Sequence, residues 1–380
     1  MNRIILFLLV IALGSAQAIQ AQDFTSSQHY FNRVYFNPAY AGLDDVFRAS
    51  INHRQQWPGV MPFMSSNVML EGQVPRKRPG SSPRVGWGAS YFNDIQGDGY
   101  LTSHQVKLTS SVIFTNEQYF LSFGLSGSRV WKNVNWNDLV FSDQIHPVLG
   151  RLDVASAAKP VDAAFQPFWD FDAGVFFRRS VDNRGKGLIY SFSLAVSHLS
   201  EPEESFMGTG TKLPMRLNAG TQWMVPLTKH MYLSPSARYE RQAGLQTLNI
   251  GTYWFPYVET SRRAVPSIMV GAWVRHQNFN IAQDLNNFVE NFDSGVVAIG
   301  VQSPYKKKNS NNRKKSWLRT KYRYWQLMVS YDFTVSSLNN SATNGSFEIS
   351  LVYGFTSQNI KCPIPGQNRN GYLLSLPSTY

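Results

Sequence analysis

The chain has 380 residues, of which 14% are aromatic and 16% charged, and a single cysteine, Cys362. Charge this sparse falls below the ~25% usual in soluble domains, and one thiol excludes an internal disulfide framework. The formal net charge of +12 would suggest nucleic acid, but nine basic residues lie between Gln302 and Arg323 with no acid among them, so the remainder is nearly balanced.

The first residues are a charged start, Met1-Asn2-Arg3, an apolar run from Ile4 to Leu13, and small residues at Ala16, Ala18 and Ala21. That order is a secretory signal peptide, assigned to 1–21 with cleavage after Ala21 preferred to Ala18. The run is too short for a membrane-spanning helix, which needs about 20 residues, and no later segment is apolar enough to be one. No Cys lies near the cleavage region to carry a lipid anchor. Export makes a nucleic-acid partner untenable, so none is expected.

An N-terminal segment, 22–45, comes next. It reads Gln28-His29-Tyr30-Phe31-Asn32, then Asn37-Pro38-Ala39-Tyr40-Ala41-Gly42, which is turn chemistry. From there to 356 the dominant pattern is period-2 alternation. Phe347, Ile349, Leu351, Tyr353 and Phe355 share one face, opposite Ser346, Glu348, Ser350, Val352 and Gly354. Similar alternation runs through 119–126, 190–197 and 325–335. Large apolar residues on one face and small or polar ones on the other suit a wall between hydrocarbon and water. A soluble sandwich produces the same alternation inverted.

Length separates the two readings. About fourteen strands are expected, near 46–57, 62–74, 84–94, 100–115, 118–131, 168–179, 187–198, 213–225, 230–242, 246–256, 266–278, 294–303, 322–335 and 345–356. Most exceed the ~9–11 residues that cross a bilayer at a tilt, whereas soluble strands average about 5–6. In lipid an open sheet edge leaves backbone groups unpaired, so the sheet must close. The expected fold is an all-β transmembrane antiparallel barrel over 46–356, with 22–45 as a periplasmic or plug segment and 357–380 as a periplasmic tail. The last strand is expected to end at Phe355.

An even strand count puts both termini on the periplasmic side. Loops 132–167, 199–212 and 280–293 then face outward, and the basic segment faces the periplasm. Trp57, Trp87, Tyr91, Trp131, Trp136, Trp223, Trp254, Tyr257, Trp317, Tyr322, Tyr324 and Trp325 fall near strand ends and form the expected interfacial girdles.

No catalytic signature is present: no G-x-S-x-G, no H-E-x-x-H, no cysteine cluster. Gly208-Thr209-Gly210-Thr211-Lys212 lacks the Walker spacing and is followed closely by Pro214, so it reads as a loop. Asp170 and Asp172 share a face near a strand start and read as lumen carboxylates. His53, His104, His198 and His276 are scattered and read as lone wall or rim residues. No enzyme activity, cofactor or metal is expected.

The Asn37-Pro38-Ala39-Tyr40-Ala41-Gly42 turn, followed by Arg54-Gln55-Gln56-Trp57, resembles the start of the mature region in the PorP/SprF family of Bacteroidetes. The resemblance continues in order. It runs through Leu121-Ser122-Phe123-Gly124-Leu125, Trp136-Asn137-Asp138 with Phe141-Ser142-Asp143-Gln144, and Ser193 to Phe206 with Val196-Ser197-His198-Leu199 and Pro202. It ends with Ser330-Tyr331-Asp332-Phe333, Gly345-Ser346-Phe347-Glu348 and Cys362-Pro363. The Lys/Arg cluster at 306–315 is denser, and the tail beyond Pro363 longer, than the family pattern.

The resemblance implies a non-enzymatic outer-membrane barrel of the type IX secretion and gliding machinery. Such a protein assists export or surface attachment of cargo proteins and contacts a periplasmic ring lipoprotein and its associated subunits. The expected surroundings are outer-membrane lipid, machine proteins and secreted cargo. Lys306, Lys307, Lys308, Arg313, Lys314, Lys315 and Arg319 are the candidate partner-binding residues. The alternative is a barrel transporter for hydrophobic small molecules, with the N-terminal segment as its plug.

Overall fold

A computed structural model of the protein describes residues 23–59, 63–74, 82–97, 101–115, 119–135, 139–157 except 147, 149, 153 and 155, 166–180, 188–204, 212–228, 231–256, 267–277, 292–303, 306–307, 320–335 and 343–357. The signal-peptide assignment, the tail beyond 357 and the Gly208–Thr211 stretch lie outside them.

Fourteen long strands dominate: β1 (Phe47–Gln56), β2 (Phe63–Gln73), β3 (Arg84–Gln96), β4 (Leu101–Thr115), β5 (Tyr119–Val134), β6 (Phe168–Ser180), β7 (Ile189–Ser197), β8 (Arg216–Thr228), β9 (Met231–Gln242), β10 (Leu245–Pro256), β11 (Ser267–Gln277), β12 (Phe292–Gln302), β13 (Thr320–Thr334) and β14 (Ser346–Ser357). Each pairs antiparallel with its neighbour in sequence. β1 pairs with β14 from Phe47 opposite Phe355 to Gln56 opposite Ser346, which closes the sheet into a barrel. Strands run from 9 to 16 residues, the lengths that a tilted crossing requires. β14 continues two residues past Phe355 because Thr356 and Ser357 still pair with β13.

The alternation sorts the two faces as hydrocarbon and water demand. Phe123, Leu125, Phe192, Leu194, Ile299, Leu351 and Tyr353 point outward and are exposed. The interior takes the charge: Arg48, Arg54, Glu71, Lys107, Asp172, Arg238, Asp332 and Glu348 are all buried there. Of the expected girdle, Trp87, Tyr91, Trp131, Trp223, Trp254 and Trp325 sit on the outer face. Tyr324 does not: it is 2% exposed and faces the lumen, since adjacent strand residues cannot share a face. Trp136, Tyr257 and Trp317 lie outside the described residues.

Antiparallel order defines two rims. The terminal rim carries the start of β1, the end of β14 and, after twelve strands, the connection 303–319. The loop rim carries the connections 135–167, 198–215 and 278–291. A small hairpin, Ile145–His146 paired with Gly150–Arg151, rises from the first of these.

Candidate functional site

The lumen holds the N-terminal segment. Tyr30, Phe31, Val34, Phe36, Ala39, Ala41 and Leu43 are all buried inside the barrel. A segment this apolar cannot rest in water, and it crosses the interior from the loop rim at Asp23 to the terminal rim at Asp45. This departs from the expectation that both ends of the mature chain sit at one rim. An even strand number fixes where the strands end, and it leaves a segment that folds inward free to cross.

Three groups of side chains hold it. At the loop rim, His198 Nε2 lies 2.5 Å from Asp23 and its Nδ1 lies 2.8 Å from Asp170. Burial disfavours the imidazolium, but Asp23 and then Asp170 outweigh it and raise His198 to about 10. Burial likewise opposes ionisation of Asp23, yet His198, Arg216 and Lys132 hold its carboxyl well below the usual range. His198 is therefore no lone rim residue. Its partner Asp23 is 175 positions away, and no sequence pattern links them.

The second group sits on the closing strands. Ser27 N donates to Glu348 at 2.8 Å, and Gln28 Nε2 donates to the Glu348 carbonyl at 2.8 Å. Arg54 bridges Asp332 at 2.8 Å and Glu348 at 3.1 Å, while Arg275 reaches Asp332 at 3.1 Å.

The third lies toward the terminal rim. A short helix, α1 (Arg33–Phe36), presents Arg33 to Asp44 at 2.7 Å and to Glu71 at 3.3 Å. Arg48 meets Glu71 at 2.7 Å and donates to the Phe31 carbonyl at 3.0 Å. Arg178 meets Asp44 at 2.8 Å. Asp45 accepts from Tyr324 at 2.6 Å, and burial foremost raises its carboxyl to about 7.

Between these groups the Asn37 turn leans on the wall. The Asn37 side chain accepts from Ala39 N at 2.9 Å and starts the 3-10 turn Pro38–Tyr40. The plug's own carbonyls are satisfied by wall hydroxyls: Ala39 by Ser122 and Ala41 by Ser111, each at 2.7 Å. Two glycines allow the approach. A Cβ on Gly124 would come within 2.3 Å of Pro38 and Ala39 backbone, and one on Gly86 within 2.0 Å of the Ala41 carbonyl.

Above the plug, at the loop rim, opens a vestibule of about 230 Å³. Phe24, Tyr35 and Phe92 form its aromatic floor, with ring centroids 4.9 to 5.9 Å apart. Lys107 is bonded to Asp172 at 2.6 Å, and Lys132 pairs with Glu204.

The residues singled out from sequence are distributed as follows. Asp170 and Asp172 do face the lumen, but each binds a cation there. His53 and His104 are on the outer face, bonded to Ser66 and Tyr91 at 2.8 Å. His276 is buried within. Lys306 and Lys307 form a two-residue strand beside Arg323 and Tyr322, at the terminal rim. Lys308, Arg313, Lys314, Lys315 and Arg319 lie outside the described residues. Among the described residues no group of His, Cys, Asp and Glu is arranged to hold a metal. What sequence reasoning missed was the glycine seam. Its signal was inward-facing glycine on β3, β5 and β6, at Gly86, Gly124 and Gly174.

A closed fourteen-strand barrel with an apolar exterior and a charged, plugged interior defines a β-barrel protein of the outer membrane. Residues 18–353 match the family model described as type IX secretion system membrane protein PorP/SprF, and the chain belongs to that family. No curated protein matches the sequence. Among solved structures, a Pseudomonas aeruginosa FadL homologue is similar at TM-score 0.40 and 12% identity, over 86% of this chain and 92% of that one. BamA from Haemophilus ducreyi lacking POTRA domains 1-3 is similar at TM-score 0.37 and 10% identity, over 81% and 70%. CdiB from Acinetobacter baumannii is similar at TM-score 0.38 and 10% identity, over 81% of this chain; the chain spans 60% of that protein.

Proposed function

We propose that this barrel is a plugged membrane anchor of the secretion machine, not a conduit and not an enzyme. It holds periplasmic machine subunits at its terminal rim and serves secreted cargo at its loop rim. The observation that supports this best is the lumen: an ion-paired plug tied to the wall at both rims is suited to rigidity rather than flow. The same observation weighs against the alternative, a transporter for hydrophobic small molecules. Lys306 and Lys307 lie at the terminal rim, and Lys308, Arg313, Lys314, Lys315 and Arg319 follow them in the sequence before β13. Cations this dense repel one another and favour an acidic partner face.

The test is co-purification from native membranes. Charge reversal at Lys306, Lys307, Lys308, Arg313, Lys314 and Lys315 is expected to remove the machine subunits while the barrel keeps its heat-modifiable migration. Partners retained in full, or a protease cutting this segment on intact cells, would overturn the reading.

A further inference from the structure

We infer that the gap between the plug and strands β7–β9 is a binding site for a small organic carboxylate, with Arg238 as its anchoring cation. The gap is a small cavity of about 50 Å³. Tyr30, Phe36 and Tyr40 wall it on the plug side, and Ser191, Ser193 and Gly220 on the barrel side.

Arg238 is 6% exposed and lines this cavity. Its Nη2 donates to Asn218 at 3.2 Å and also pairs with Glu240, while Nη1 is buried with no hydrogen-bond partner among the described residues. A buried guanidinium nitrogen without an acceptor is costly, and an anion is the acceptor that relieves it best. Glu240 does not neutralise the site by itself, because it is shared with Arg216 at 2.5 Å. Asp23 approaches Arg216 at 3.7 Å, but it is also held by His198. His29 lines the same cavity, and burial, with Arg238 and Arg275, keeps its imidazole well below its usual range. The field there favours negative charge.

The shape sets the class of anion. A single guanidinium nitrogen without an acceptor, beside the Asn218 side chain, suits one carboxylate, whereas a phosphate dianion would need further cations. Three aromatic rings suit an apolar body behind it. The cavity is blind: one inward position further along the strands, Ile189 and Met224 are buried with Tyr232 in the apolar cluster. Toward the loop rim it meets the vestibule at Phe36 and Asn218, which line both. Phe36 stacks under Arg238, ring centroid to guanidinium carbon 3.7 Å, and stands at the passage.

The test titrates acetate and benzoate into the full-length barrel in detergent micelles, followed by calorimetry at an ionic strength held constant with chloride. Saturable binding of benzoate is expected for the native protein. Arg238→Gln is expected to weaken it by about tenfold or more, the worth of a charge-assisted hydrogen bond. Ser193→Leu fills the cavity without touching Arg238, Glu240 or Arg216, and is expected to abolish binding with the fold intact. Should Arg238→Gln fail to fold, Ser193→Leu decides alone. No saturable heat with either acid, or equal affinity in native and Ser193→Leu proteins, overturns the proposal.

Discussion

The two sides of the barrel fill the same lumen by opposite means. On β3 to β6 the inward residues facing the plug turn are small: Gly86, Ser111, Ser122 and Gly124 let the plug's backbone touch the wall. On β8 to β12 the inward residues are large, with Met224, Tyr232, Tyr253, Phe255, Met269 and Trp273 in one cluster with Tyr30 and Phe31. One side grips a backbone and the other occupies volume. A fourteen-strand interior is wide, and a single extended segment cannot touch every wall. The segment leans to one side, and bulk from the other meets it.

This contrast can be broken piece by piece. The largest effect is expected at Glu71, which is 1% exposed and faces both Arg33 and Arg48. Glu71→Ala removes the carboxylate that two buried guanidiniums share and should cost about 3–5 kcal/mol, read as a lower urea midpoint in lipid vesicles. On the bulky side Met224→Ala leaves a cavity worth about 2–5 kcal/mol. Hydrogen exchange at Asn37–Gly42 should stay protected, because the grip lies opposite. Gly124→Ala should reverse that pattern: about 1–3 kcal/mol lost, with exchange raised at Ala39–Ala41. Gly127→Ala is its control, because a Cβ there meets only the Phe171 ring at 3.4 Å, and should be neutral within about 0.5 kcal/mol.

A further, local effect is expected from pH. His198 is raised from 6.5 to about 10 in the fold, so its contribution is complete below pH 6.5 and lost as pH climbs toward 10. Asp23 is lowered, so its share is present above its ordinary 3.8 and lost as pH falls below that. Exchange at Asp23–Phe24 should therefore rise between pH 7 and 10 after correction for intrinsic rates, and His198→Gln should flatten the rise.

How far the sequence carried the reading depends on range. The outward set Phe347, Ile349, Leu351, Tyr353 and Phe355 was legible because alternation is local and hydrocarbon enforces it. The Asn37-Pro38-Ala39 turn was legible because its chemistry spans three residues. Tyr324 was misplaced because aromatic count near a strand end carries no face, and only register assigns one. The crossing of the plug, the Asp23–His198 pair and the Glu71 junction join residues far apart in the chain. No periodicity encodes them. The apolar run within 30–43 and the inward glycines of β3, β5 and β6 are the sequence signals that favour the plug over the periplasmic placement of the segment.

Glu348 has a consequence for assembly. It lies on β14, its partner Arg54 lies on β1, and Ser26, Ser27 and Gln28 complete its shell. The last strand made thus meets the first strand across a junction whose polar filling comes from the earliest described residues of the chain. Closing the ring before that segment is inside would leave Arg54 and Glu348 without Ser26, Ser27 and Gln28, and the segment would then have to thread a closed ring. The expected order of assembly is that the leading segment enters while the wall is still open and the final strand closes after it.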